Sequence, residues 1–303
     1  MWSYIALALL ADVLVMLINS FRYKIILSAA DQRISHKKTL LINLGVKFST
    51  YVTPFKTGAA ITKPIITNKM AAIPIKFSAP LILFEQFFDI GWQIVALPFL
   101  LILIGEAAMI SSFTTEFIII ALSVVFIGIA YIKRSYIFSK IWSMKRLLPA
   151  RFHGAGKKMG INKPKMKQII KQSSVHISNR KFLAKISFMT LLTVFVAPLT
   201  IYYCGLAFSV GMTYPTAFLL YWASMIIGRF SGIPGGFGAR EFSLVAMLGA
   251  LGIPLAAATG FSVIYRIVMM LIPIGVGGPV FFYASGKIAR AALFRKNVNE
   301  KTM

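Results

Sequence analysis

The residues in this chain whose types could do chemistry are few, and most are charges set in apolar surroundings. The densest group is Gly228-Arg229-Phe230-Ser231-Gly232-Ile233-Pro234-Gly235-Gly236-Phe237-Gly238-Ala239-Arg240-Glu241, with five glycines, a proline, two arginines and a glutamate. A helix loses stability at each glycine and a backbone hydrogen bond at Pro234, so it must break here. At membrane depth the freed backbone groups must face protein or water. A helix restarting after the break would offer free amides from Gly235, Gly236 and Gly238 beside Arg229 and Arg240, an arrangement suited to a phosphate. The simpler alternative is local: Glu241 complements the positive end of that helix, and Arg240 snorkels.

Glu85 and Asp89 stand four residues apart in Phe84-Glu85-Gln86-Phe87-Phe88-Asp89, which puts both on one helical face. Arg266 lies near the middle of another apolar run. Charge in hydrocarbon is costly enough that such residues face a cavity or a partner. Two readings follow: a structural ion pair that fixes helix contacts, or a hydrophilic path that binds a polar headgroup or a coupling proton. Lys56 and Lys63, beside Pro54 and Gly58, are the weaker counterparts of the arginines around Pro234.

Several chemistries lack their residues. A phosphate loop of the Walker type needs a Lys-Ser/Thr pair that the Gly232–Gly238 run does not have. His36, His153 and His176 all fall in basic loops, without metal-site spacing and without a Ser-His-Asp set. Cys204 is the single cysteine, inside an apolar run, and reads as a packing residue. No catalytic residue, metal or cofactor is therefore expected, and no nucleic-acid module is recognisable. The expected partners are membrane lipids, with homo-oligomerisation left open.

The elements that carry these residues are apolar helices. The chain is 58% hydrophobic, with a mean hydropathy of +0.78, and several runs are long enough to cross a hydrocarbon core of roughly 30 Å. Continuous apolar runs, rather than alternating ones, predict an all-α polytopic membrane protein. Full spans are expected at 2–20, 78–104, 113–132, 186–209 and 255–284. Short arms at 39–51 and beyond Gly58, and at 216–233 and 241–252, flank the two Pro/Gly breaks and read as re-entrant pairs. Lys and Arg cluster at 22–38, 133–185 and 287–303, which places those segments in the cytoplasm, the N-terminus outside and the C-terminus inside. The block 133–185 also suits anionic headgroups.

Pro54-x3-Gly58-Ala59 with Ile73-Pro74 recurs as Pro234-x3-Gly238-Ala239 with Ile253-Pro254, each displaced by 180 residues. With one pair opening to each side, the pattern is that of an inverted repeat around a site near the midplane. The expected organisation is one membrane domain over 1–290, with repeat one at about 1–132, a basic loop at 133–185 and repeat two at 186–290, then a basic tail at 291–303. The two breaks are expected to meet at a cavity lined by Glu85, Asp89 and Arg266.

Pro234-Gly235-Gly236-Phe237-Gly238-Ala239-Arg240-Glu241, with Tyr265-Arg266 and Pro273 after it, resembles the transmembrane region of lysylphosphatidylglycerol synthases, a flippase-like membrane family. Pro54-x3-Gly58 and Glu85-x3-Asp89 extend the resemblance over nearly 1–290. It implies an inner-membrane lipid translocase for an aminoacylated, glycosylated or polyprenyl-phosphate lipid, with Arg240, Glu241, Glu85, Asp89 and Arg266 along the path. Two features depart from the family: Ala59 stands where Glu is frequent, and Thr62-Lys63 where Arg is common. The chain as it stands carries no aminoacyltransferase domain, so lipid synthesis is not expected. The competing expectations are an intramembrane enzyme using Glu85, Asp89 and Glu241 as acid or base, and an accessory subunit of an envelope glycosylation system.

Overall fold

A computed structural model describes residues 1–28, 32–52, 58–75, 77–86, 88–89, 91–92, 180–284 and 286. Pro54, Lys56, the span expected at 113–132, the basic loop as far as residue 179 and the basic tail lie outside the described residues.

The described residues form helices and no strand, as the continuous apolar runs require. In chain order they are α1 (Trp2–Ser28), α2 (His36–Val52), α3 (Gly58–Ala71), α4 (77–86, with 88–89 and 91–92), α5 (Arg180–Val196), α6 (Leu199–Ala207), α7 (Tyr214–Phe230), α8 (Ala239–Ala250) and α9 (Leu255–Ile272). Among the described residues three stretches are long and apolar enough to cross a membrane: Trp2–Ser28, Arg180–Ala207 and Leu255–Ala284. By contrast, α8 has 12 residues, or about 18 Å at 1.5 Å per residue, too short to cross alone.

Two expected boundaries move. The first span continues through Arg22 and Lys24 to Ser28, because Tyr23, Ile26 and Leu27 keep an apolar face that packs to complete burial. Arg22 is therefore a buried helix residue and not part of a cytoplasmic loop. The stretch Arg180–Ala207 begins inside the segment assigned to the basic loop, and it is interrupted at Pro198, whose missing amide separates α5 from α6.

Helix α1 is the spine. Its N-terminal half joins α6, α7, α8 and α9 in one apolar core around Ile201, Phe218, Leu244 and Phe261. Its C-terminal half joins α2, α3, α4 and the start of α5 in a second, around Ile42, Ile66, Leu81 and Ile186. Leu7, Leu10, Leu14, Leu17 and Phe21 form an exposed stripe along the opposite face, the surface a membrane helix presents to lipid. Lipid is as apolar as leucine, so contact between these helices depends on close packing of small residues. Gly277 supplies one such contact: the last span turns into a π-helical segment, Pro273–Gly277, and lies so close to α2 that a Cβ there would overlap the Leu44 carbonyl.

The order helix, break, helix, Ile-Pro, helix occurs twice, as α2–α3–α4 and as α7–α8–α9. The backbone keeps the same register at the end of each second arm. Ala72 has φ 56° and Gly252 has φ 81°, 180 residues apart, and both turn the chain into its Ile-Pro. A left-handed alanine is uncommon enough that its match to a glycine is informative.

The second break is a short 3-10 turn, Pro234–Gly236, followed by Phe237 and Gly238. Gly236 has φ 67°, and a Cβ on it would sit 2.9 Å from the Gly228 carbonyl oxygen. Gly236→Ala combines left-handed strain with a backbone clash. It is expected to cost about 2 kcal/mol or more, read as a lowered midpoint in thermal unfolding of the detergent-solubilised protein, whereas Gly260→Ala, with open space around it, leaves the midpoint within error.

Candidate functional site

Among the described residues three charged groupings hold the bundle together. In the first, the Arg22 guanidinium grips Asp89 with both nitrogens, at 2.6 and 2.9 Å, and donates to Glu85 at 3.1 Å and to the Thr190 hydroxyl at 3.1 Å. Lys63 approaches the other oxygen of Glu85 at 2.6 Å and lies 3.9 Å above the Tyr23 ring. The Tyr23 hydroxyl shares a 2.7 Å hydrogen bond with Thr67. These contacts bind α1, α3, α4 and α5. The four-residue spacing of Glu85 and Asp89 does put them on one face, but the partner they meet is Arg22 and not Arg266. Lys63 is buried, 4% exposed.

The second grouping ties α1 to α2, with the Lys47 ammonium at 2.8 and 3.1 Å from the two oxygens of Asp12. The third fixes the break. Arg266 on α9 donates to the Gly235 carbonyl at 3.0 Å, lies 3.1 Å from Glu241 as an ion pair, and covers the Phe237 ring at 4.1 Å. Glu241 also accepts the Gly238 amide at 2.7 Å, so its carboxylate caps the helix it begins.

That cap revises the proposed cradle of amides. The Gly236 amide donates to Ile233 and the Phe237 amide to Pro234, while Gly238 is taken by Glu241. Those three donors are already used, so the break itself is not a free anion nest. Arg240 does not snorkel either. It is 3% exposed, donates to the Tyr265 hydroxyl at 2.6 Å, and runs its stem under Gly228.

The groupings border a cavity of about 270 Å³. Its charged walls are Asp12, Arg22, Lys47, Asp89, Arg229 and Arg240, and Gly235 of the break also faces it. Tyr51 connects the two halves: its hydroxyl donates to the Met269 carbonyl at 3.1 Å, and its Cα is 3.1 Å from where a Cβ on Gly235 would be. The end of α2, three residues before Pro54, thus touches the second break. Of the residues singled out from sequence, Asp89, Arg229, Gly235 and Arg240 line the cavity. Lys63 and Glu85 stand behind Arg22, and Arg266 and Glu241 stand behind Gly235. Gly58 opens α3, Pro234 opens the 3-10 turn, and Lys56 is outside the described residues.

Sequence reasoning missed Arg22, Asp12 with Lys47, and the tyrosines Tyr51, Tyr221 and Tyr265. The signal for Arg22 was present, since Ile25-Ile26-Leu27 continue the apolar pattern past it. Lys47, one cation in the apolar arm 39–51, was the available mate for Asp12.

The buried cluster makes a definite prediction. Glu85→Gln leaves Lys63 buried beside Arg22 with one carboxylate between them, at a cost of about 3 kcal/mol. The double variant Lys63→Met, Glu85→Met removes one charge of each sign and keeps the Arg22–Asp89 pair. It is expected to regain most of that loss, measured by thermal unfolding of each purified variant.

Comparison with known proteins agrees with a membrane protein. The chain is similar to a UPF0104 membrane protein of Methanothermobacter thermautotrophicus, 22% identical over 277 residues, covering 88% of this chain and 79% of the relative. No solved structure matches it. The match to the lysylphosphatidylglycerol synthase TM region runs from residue 1 to residue 277 and so takes in the nine described helices and the residues that line the cavity. The protein is thus a membrane protein belonging to the lysylphosphatidylglycerol synthase TM region family.

Proposed function

We propose that the protein moves a lipid with a phosphate-containing headgroup between leaflets, holding the headgroup in the cavity while the acyl chains stay in lipid. One observation carries this reading. A charged cavity large enough for about nine waters is walled by α1, by the first broken arm and by the second break, in a chain whose outer faces are apolar. Family membership supports a role in lipid or envelope biosynthesis. The matched backbone turns at Ala72 and Gly252 support treating α2–α3 and α7–α8 as related re-entrant pairs of an inverted repeat, the geometry that lets a central site open alternately to each side.

Binding is favoured over chemistry by the state of the carboxylates. Glu85 and Asp89 are held by Arg22, with Lys63 also on Glu85, and Glu241 by Arg266 and its own helix start. A general acid or base must exchange protons with substrate, and each of these groups already has a cationic partner within 3.1 Å.

The test is leaflet exchange of fluorescent phospholipids in vesicles containing the purified protein. Wild type is expected to accelerate exchange, and Arg240→Ala to reduce the rate about tenfold, the loss of one charge-assisted contact. Exchange no faster than in protein-free vesicles, across glycerophospholipid and polyprenyl-phosphate probes, would refute the reading. Orientation is checked in cells. With Cys204 replaced by Ser, a cysteine at Ser3 is expected to label from outside and one at Asn299 only after permeabilisation.

A further inference from the structure

The charges around the cavity do not balance, and the imbalance specifies a ligand. The four acidic residues among the described positions, Asp12, Glu85, Asp89 and Glu241, are all committed to ion pairs, with Lys47, with Arg22 and Lys63, with Arg22, and with Arg266. Two guanidiniums on the cavity wall are left over. Arg229 makes no hydrogen bond or ion pair with a described residue. Arg240 has a neutral phenol as its only hydrogen-bond partner there, and its buried Nε has none. Among the described residues the cavity wall therefore carries four cations against two carboxylates, and including Lys63 with Glu85, or Arg266 with Glu241, leaves the excess at two.

A buried cation without a counter-ion is costly, and it becomes stable when an anion fills the space beside it. Guanidiniums match phosphoryl oxygens in pairs of parallel hydrogen bonds. Tyr221, whose ring lies 5.8 Å from the Arg240 guanidinium, also lines the cavity, and the negative face of such a ring attracts the cation and not the anion, which leaves the phosphoryl oxygens to the guanidinium nitrogens.

Resting on the transport reading above, we infer that the cavity selects a headgroup carrying two negative charges close together, a diphosphate or a phosphomonoester dianion, held between Arg229 and Arg240. It disfavours a headgroup with a free amine, because the two carboxylates that could receive an ammonium are already occupied by Lys47 and Arg22. The cavity thus discriminates by charge: a cationic aminoacylated lipid would add a third positive charge to an uncompensated pair.

The probes are inorganic diphosphate, a prenyl diphosphate, phosphatidylglycerol and an aminoacylated phosphatidylglycerol. Each is measured for binding to the detergent-solubilised protein by calorimetry, and the three lipids also for leaflet exchange. The prenyl diphosphate is expected to bind at least tenfold more tightly than either glycerolipid. Arg229→Gln is expected to weaken that binding about tenfold, and Arg229→Lys to recover part of it. Arg229 is half-buried and unbonded to any described residue, so its variants should keep the wild-type unfolding midpoint. If inorganic diphosphate binds as tightly as the prenyl form, the site recognises the phosphoryl group alone; if only the prenyl form binds, the lipid is part of the ligand. Both outcomes support a dianionic site. Equal or tighter binding of the aminoacylated lipid overturns the inference, as does diphosphate binding that Arg229→Gln leaves unchanged. Absence of exchange for every lipid counts against the transport reading alone, because the calorimetry still decides the charge of the ligand.

Discussion

The Arg22 guanidinium is the point on which the first half of the structure depends. It is buried on a helix long enough to cross a membrane, where an isolated charge would be intolerable. Four groups from three other helices answer it directly or through Glu85: Asp89 and Glu85 on α4, Thr190 on α5 and Lys63 on α3. Contacts of this kind add little net stability compared with apolar packing, but they admit one arrangement of the helices and penalise others. The apolar surfaces of α1 would accept many neighbours; the charges accept one set.

The second half is held by a different device. Arg266 reaches from α9 to a carbonyl, a carboxylate and an aromatic face of the broken segment, and so fixes a loop that has little regular hydrogen bonding of its own. Glycines at 235 and 236 let that loop approach Tyr51 and Gly228 at distances a side chain would prevent. The two halves then meet where the end of α2 touches the turn before α8. The cavity lies beside that contact and is lined from both halves, with its cations drawn from α1, α2, α7 and α8.

This division separates residues that build the site from those that face it. Glu85, Lys63, Glu241 and Arg266 are charged, buried or half-buried, and near the cavity, yet their charges are spent on one another. Arg229 and Arg240 differ because no carboxylate among the described residues is left for them. Charge in an apolar sequence therefore marks the neighbourhood of a site, whereas the balance of pairing marks the site itself.

How much could be read in advance follows from which physical quantities are local. Apolar run length determined the helical class and the span at 255–284, and it placed a first span at 2–20 that the structure extends to Ser28, because crossing hydrocarbon is a matter of length and composition. Pro234 and its glycines determined a break, because missing amides and absent side chains act where they stand. The 180-residue displacement was visible as spacing, and the same spacing reappears in the backbone at Ala72 and Gly252. Pairing was not legible. By local pattern Arg22 belongs to a loop, Glu85 and Asp89 share a cavity with Arg266, and the amides of the break are free. In each case the answer was a contact between residues more than 60 positions apart, or a turn closed by a single carboxylate. Where helices run and where they break is written in local composition; which charges cancel emerges on folding, because cancellation depends on distances between helices that no local pattern encodes.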